Sequence, residues 1–128
     1  QCVVAAAPAT DLEHFEGLGT GNVASFMGQP LNAGPPDPVA IKAYRVASPV
    51  THASASSAPM LLLHGDADRV VSFRQSELME AAMKKAGAEV KFIRLPGGAH
   101  GFPGETAKHP DWPDIFAGAV HWLDQHLK

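Results

Sequence analysis

Three short runs rich in apolar, strand-forming residues alternate with stretches of helical periodicity, and this alternation leaves few folds open to the chain. The runs lie at residues 2–7, 59–64 and 89–95. The first two are continuously apolar rather than alternating, which is the pattern of strands covered on both faces of a parallel sheet. Between them, residues 8–36 are broken by Pro8, Gly17, Gly19, Gly21, Gly28, Pro30, Gly34, Pro35 and Pro36. Such a stretch holds only short helical pieces, expected at 11–16 and 22–27. Asp37 followed by Pro38 supplies a side-chain acceptor and a proline at the first helical position. This predicts a helix to about Val46 that stops near Ser48-Pro49. Residues 51–58 are a connector of small residues.

After the second run, Ser72-Phe73-Arg74-Gln75 matches a capping box, in which serine and glutamine side chains close the first turn. Leu78, Met79, Ala82, Met83 and Ala86 then recur at helical spacing, with Glu77, Glu80, Lys84 and Lys85 outside and Gly87 at the stop. A last helix is expected from about Asp111, presenting Trp112, Ile115, Phe116, Ala119, Leu123 and Leu127 on one face. Strands alternating with helices imply an α/β fold with a parallel sheet and right-handed crossovers. The expectation is one partial domain over residues 1–128: 8–50 form an insert- or cap-like region, and 51–128 a strand–helix–strand–helix unit.

Composition narrows the function classes. A net charge of −3 on 128 residues gives no electrostatic footprint for nucleic acid or an anionic membrane. No apolar run approaches the roughly 20 residues of a membrane span. The first residues lack the basic and long apolar segments of a secretory signal. Cys2 is the single cysteine, so no internal disulfide is possible, and it reads as a buried apolar-like side chain. No cofactor or metal site is expected. His14, His52, His109, His121 and His126 show no metal-binding spacing and read as surface residues. Gly17-Leu18-Gly19-Thr20-Gly21 follows no strand directly and has no lysine after it, so it reads as a flexible insert rather than a phosphate loop.

Function in a parallel α/β sheet sits at the carboxyl ends of the strands. The second run is followed by His64-Gly65-Asp66-Ala67-Asp68-Arg69-Val70-Val71, the third by Pro96-Gly97-Gly98-Ala99-His100-Gly101-Phe102. On neighbouring strands, about 4.8 Å apart, an Asp and a His in these loops are within reach of each other. Such a pair fixes an imidazole tautomer and stabilises the imidazolium when the histidine takes a proton. Asp66 and Arg69 read as loop-stabilising, and His64 as hydrogen-bonded within its loop.

These loops resemble two signatures of the prolyl-oligopeptidase-like and carboxylesterase α/β-hydrolases. His64 to Val71 is similar to the HGxxDxxV stretch, and Gly98 to Phe102 to the G-x-H-G-[FI] loop. The resemblance implies that Asp68 is the acid and His100 the base of a catalytic triad. It extends to Ala7-Pro8-Ala9-Thr10-Asp11-Leu12, to Ala47-Ser48-Pro49-Val50, and to the helix around Gln75-Ser76-Glu77-Leu78. It thus covers nearly the whole chain. It implies the C-terminal part of an α/β-hydrolase fold and a serine-dependent carboxylic-ester hydrolase, with bacterial acetyl- and feruloyl-esterases the nearest in character. A serine peptidase carries the same two motifs. The insert overlies the active site in this family, which makes Phe15, Phe26 and Met27 candidates for an acyl pocket.

The family's nucleophile stands in G-x-S-x-G, and no serine here has that setting; Ser25 has Val23 and Met27 at the flanking positions, Ser72 has Val70 and Arg74. The nucleophile and the oxyanion loop are therefore expected upstream of residue 1, and the isolated chain is expected to be inactive or weakly active. The first strand, central in a complete fold, would then be an uncharged sheet edge that pairs with something. Two partners suit it: an N-terminal half of the same enzyme, or a second copy in a homo-oligomer. A non-catalytic fragment that self-associates through this edge is the non-enzyme alternative.

Overall fold

The computed structural model describes residues 1–28, 37–101 and 114–127. Three strands form one parallel sheet in the order β1 (Val3–Ala6), β2 (Met60–Gly65), β3 (Val90–Leu95). The helices are α1 (Thr20–Met27), α2 (Pro38–Ala47), α3 (Arg74–Ala86) and α4 (Ile115–His126), with a 3-10 turn at Pro49–His52. This is part of an α/β-hydrolase fold: three parallel strands flanked by helices.

The central strand explains the layering. Side chains alternate along β2, so Leu61 and Leu63 point to one face and Leu62 and His64 to the other. Leu61 and Leu63 join Leu95, Ile115 and Trp122 beneath α4, whereas Leu62 packs with Met79 and Met83 of α3. Each such aliphatic side chain contributes about 1.5–3 kcal/mol on burial. Two apolar faces fix the register, since a one-residue slip would exchange them. Leu63 pairs with Ile93 and Gly65 with Leu95, so β2 and β3 end level and their following loops start side by side. Among the described residues β1 has one strand neighbour, β2, and Val3 on it is 37% exposed.

α2 begins as its sequence dictates: Asp37 Oδ1 accepts from the Val39 N–H at 2.9 Å, with Pro38 at the first position. α3 does not use the capping box. Its first turn follows Phe73 with no side-chain cap, because Gln75 is engaged elsewhere. Its Oε1 accepts from the Thr10 N–H at 2.8 Å and the Asp11 N–H at 2.7 Å, and its Nε2 donates to Asp11 O at 3.1 Å. That tether also overrides the short helix expected at 11–16. The segment is instead a turn in which Asp11 Oδ1 accepts from the His14 N–H at 3.1 Å.

α4 starts at Ile115, where Asp114 Oδ1 accepts from the Ala117 N–H at 2.8 Å; the expected start near Asp111 and Trp112 lie outside the described residues. Its buried stripe is Ile115, Ala119 and Trp122, while Phe116 is 70% and Leu127 63% exposed. The expected face was rotated because Trp122 outweighs the smaller side chains in choosing which stripe turns inward.

Candidate active site

The turn after β2 is built around a carboxylate. Asp68 Oδ1 accepts from the N–H groups of Val70 (2.8 Å) and Val71 (3.0 Å), and Oδ2 accepts from Nδ1 of His100 at 2.8 Å. The Asp68 side chain is fully buried and that of His100 is 41% exposed. Burial acts to raise the Asp68 pKa. The Val71 N–H, the His100 side chain and the Val70 N–H outweigh it, and the carboxyl is held below the usual aspartate range. The carboxylate therefore stays ionised inside the protein while the imidazole faces outward. With Nδ1 donating to Asp68, Nε2 is the nitrogen left to take a proton.

The two loops meet backbone to backbone. The Ala67 N–H donates to Gly98 O at 3.0 Å, and the Asp66 N–H to Leu95 O at 3.2 Å. A Cβ on Gly65 would lie 2.1 Å from Gly98 O, so glycine at this place is what allows the loops to close. Asp66 completes the join: Oδ1 accepts from the Gly97 N–H at 2.7 Å and Oδ2 from Arg94 at 2.8 Å. Arg94 also lies over the Phe73 ring, 5.3 Å from its centroid.

The insert is docked on the same turn. The Leu18 N–H donates to Arg69 O at 2.8 Å, the Gly19 N–H to Val70 O at 2.9 Å, and the Ser72 N–H to Glu16 O at 3.3 Å. A Cβ would lie 2.6 Å from Val70 O at Gly17 and 2.8 Å from it at Gly19, and Gly17 has φ +124°. These glycines let the insert approach the acid turn, where sequence alone suggested flexibility. Phe15 lies beside this staple, its Cε1 3.4 Å from where a Gly19 Cβ would stand. Phe26 is 76% exposed and lines an apolar groove of about 370 Å³ with Leu12, Val23 and Pro49. Met27, half-buried at the end of α1, is not among that groove's lining residues.

The resemblance of the two loops thus points to Asp68 and His100, and the fold brings them into contact. Sequence spacing gave no hint of Gln75 as an anchor, because that contact spans 65 positions. Among the described residues no group of three His, Cys, Asp or Glu side chains could hold a metal ion, and no helix is long and apolar enough to cross a membrane.

The sequence pattern of the prolyl oligopeptidase family matches residues 1–128. Over 85 residues the chain is 33% identical to the uncharacterized peptidase YuxL of Bacillus subtilis, covering 62% of this chain and 12% of that protein. Over 60 residues it is 35% identical to the esterase LipQ of Mycobacterium tuberculosis, covering 46% of this chain and 14% of that one. Among solved structures it is similar to the propionate-bound thermophilic esterase Est2 of Thermogutta terrifontis, with TM-score 0.63 and 27% identity, over 95% of this chain and 41% of that one. The chain spans well under half the length of each of these proteins.

Proposed function

The chain belongs to the prolyl oligopeptidase family, and on that premise we propose that it is the acid-and-histidine portion of a serine-dependent carboxylic-ester hydrolase. The observation that carries the reading is the 2.8 Å contact between buried Asp68 and half-exposed His100. In this role Nε2 of His100 takes the proton of a serine hydroxyl as its Oγ attacks the ester carbonyl. Asp68 holds the ring and stabilises the imidazolium. The imidazolium then gives its proton to the departing alkoxide, and water repeats the sequence on the acyl-enzyme.

The serine comes from polypeptide outside these 128 residues, since none of their serines stands in G-x-S-x-G. We place that polypeptide along β1, whose second edge has no strand beside it among the described residues; it is either a further part of the same protein or a separate chain. The free edge also supports a second reading, in which copies of the chain associate through β1 without catalysis. Of the three apolar candidates, Phe15 is the one whose place supports the acyl site, beside the Gly19–Val70 staple; Phe26 lines the groove with Leu12, Val23 and Pro49, and Met27 does not line it. An ester substrate is favoured by likeness to two esterases, and a peptide substrate by likeness to a peptidase.

Hydrolysis of p-nitrophenyl acetate, together with labelling by a fluorophosphonate, tests this on the 128-residue chain and on the intact protein that carries it. The expectation is turnover and one labelled serine in the intact protein, and neither in the chain alone. A labelled serine within these residues would sink the split assignment of the nucleophile. An intact protein without turnover or label would favour the non-catalytic reading.

A further inference from the structure

One buried titratable side chain is left without a task by this mechanism. His64 is fully buried on the α3 side of β2, and both ring nitrogens are occupied: Nε2 lies 3.0 Å from Val71 O, Nδ1 2.7 Å from Ser76 Oγ. A carbonyl oxygen only accepts, so Nε2 carries the proton, and in the neutral ring Nδ1 accepts from the Ser76 hydroxyl. Nε2 also lies 3.3 Å from Asp68 Oδ2, the oxygen that receives His100.

The geometry of this buried cluster assigns His64 as a positioning residue: it holds Asp68 against His100, with Ser76 fixing its tautomer. Two contacts carry the effect. Through Val71 O, His64 holds the residue whose N–H bonds Asp68 Oδ1; through Nε2 it sets the positive end of an N–H dipole beside Oδ2. The groups facing the cluster from neighbouring elements fit this role. Phe73 meets the His64 ring edge-on at 5.6 Å and is itself packed on Phe92 of β3, so the imidazole has one seat. Among the described residues Asp68 is the ionisable side chain beside it, and His100 meets the cluster through Asp68, while Asp66 is occupied by Arg94 and the Gly97 N–H. Burial by itself calls for a partner on each ring nitrogen; the Asp68 carboxylate 3.3 Å from Nε2 is the contact beyond that need.

The test uses the intact protein. Its first readout is the proton NMR resonance of the His100 Nδ1–H, deshielded by Asp68, which needs no substrate. Its second is kcat on p-nitrophenyl acetate, which rests on the ester reading. His64→Leu should move the resonance upfield and speed its exchange. It should also lower kcat by about ten- to a hundredfold, the range found where an outer partner orients a working histidine, with KM within about twofold because the substrate pocket is untouched. His64→Gln, which can set an amide N–H near the place of Nε2, should restore the resonance and most of the rate. Ser76→Ala should shift the resonance the same way by less.

An unchanged resonance in His64→Leu overturns the proposal, as does a His64→Gln that behaves like His64→Leu. If His64→Leu does not fold, Ser76→Ala decides, and an unchanged resonance there overturns it equally. Absence of turnover beside a His64-dependent resonance would end the ester reading and leave this one standing.

Discussion

Asp68 and His100 touch, yet the turns that carry them are held in different ways. The acid turn is braced from every side. The peptides whose N–H groups hold Asp68 are themselves clamped at their carbonyls, Arg69 O by the Leu18 N–H and Val70 O by the Gly19 N–H, and His64 holds Val71 O one peptide further on. The histidine loop is fastened at its root, where Gly97 and Gly98 bond to Asp66 and Ala67. Ala99, His100 and Gly101 beyond that root are exposed. The division suits the proposed chemistry: the Asp68 charge is fixed by the scaffold, while the imidazole that would exchange protons with a ligand reaches outward from a short arm. Preorganised electrostatics and positioning of this kind account for much of enzymatic rate enhancement.

Substitutions can break or sharpen this contrast. The largest effect is expected at the arm. His100→Ala in the intact protein should lower kcat on p-nitrophenyl acetate by about 10⁶-fold, as expected when a triad base is lost, with little change in the urea midpoint because the side chain is half-exposed. Asp68→Asn should cost about 10⁴-fold in kcat through the wrong histidine tautomer, and it should also register in stability. The folded pKa of Asp68 lies below its unfolded value, so its contribution is fully present above the ordinary aspartate pKa of about 3.9 and is lost as pH falls through the depressed folded value. Acid unfolding followed by circular dichroism should therefore be less steep below about pH 4 in Asp68→Asn than in the unaltered protein. Equal slopes would show that the buried carboxylate is not what the turn is built to hold.

Gly65→Ala attacks the seam between the two turns. Its methyl would meet Gly98 O at 2.1 Å, so the loops must part. A displacement of this order lowers activity by about a hundredfold and stability by about 1–3 kcal/mol, read from kcat and a urea titration. The smallest effect belongs to Gln75→Leu, which leaves the Thr10 and Asp11 N–H groups without their acceptor. Here a loss of about 1–3 kcal/mol in the urea titration should leave kcat within about threefold, since Gln75 touches neither turn's catalytic side chain. A large fall in kcat for Gln75→Leu would mean that the insert governs the acid turn more than the contrast allows.

The same contrast marks what could be read from the sequence. The strands, α2 with its Asp37 cap and the Met79–Met83 stripe follow from short-range patterns, whereas the Asp68–His100 pairing, which spans 32 positions, is legible through the resemblance of its two loops to family signatures. Where a long-range contact competes, the local pattern loses. Ser72 and Gln75 spell a capping box, but Gln75 is taken by Thr10 and Asp11. Residues 11–16 carry a helical pattern, but their backbone is pinned before a helix can start. Gly17 and Gly19 read as slack and are points of contact, since the Val70 carbonyl that requires them lies more than 50 positions away. His64 was legible as a loop-bonding side chain; its nearness to Asp68 Oδ2 depends on how the turn folds back over the strand end.

The complete enclosure of Asp68 bears on how such a site would empty. An ester hydrolase turns a neutral substrate into a carboxylic acid that ionises at neutral pH, and a naked carboxylate nearby would hinder its formation while the ion would be slow to approach a second time. Here the negative charge of the pair reaches a departing acid only through an imidazole ring. In the proposed reaction, the turn that anchors the Asp68 charge would thereby also screen it from a product that it would repel.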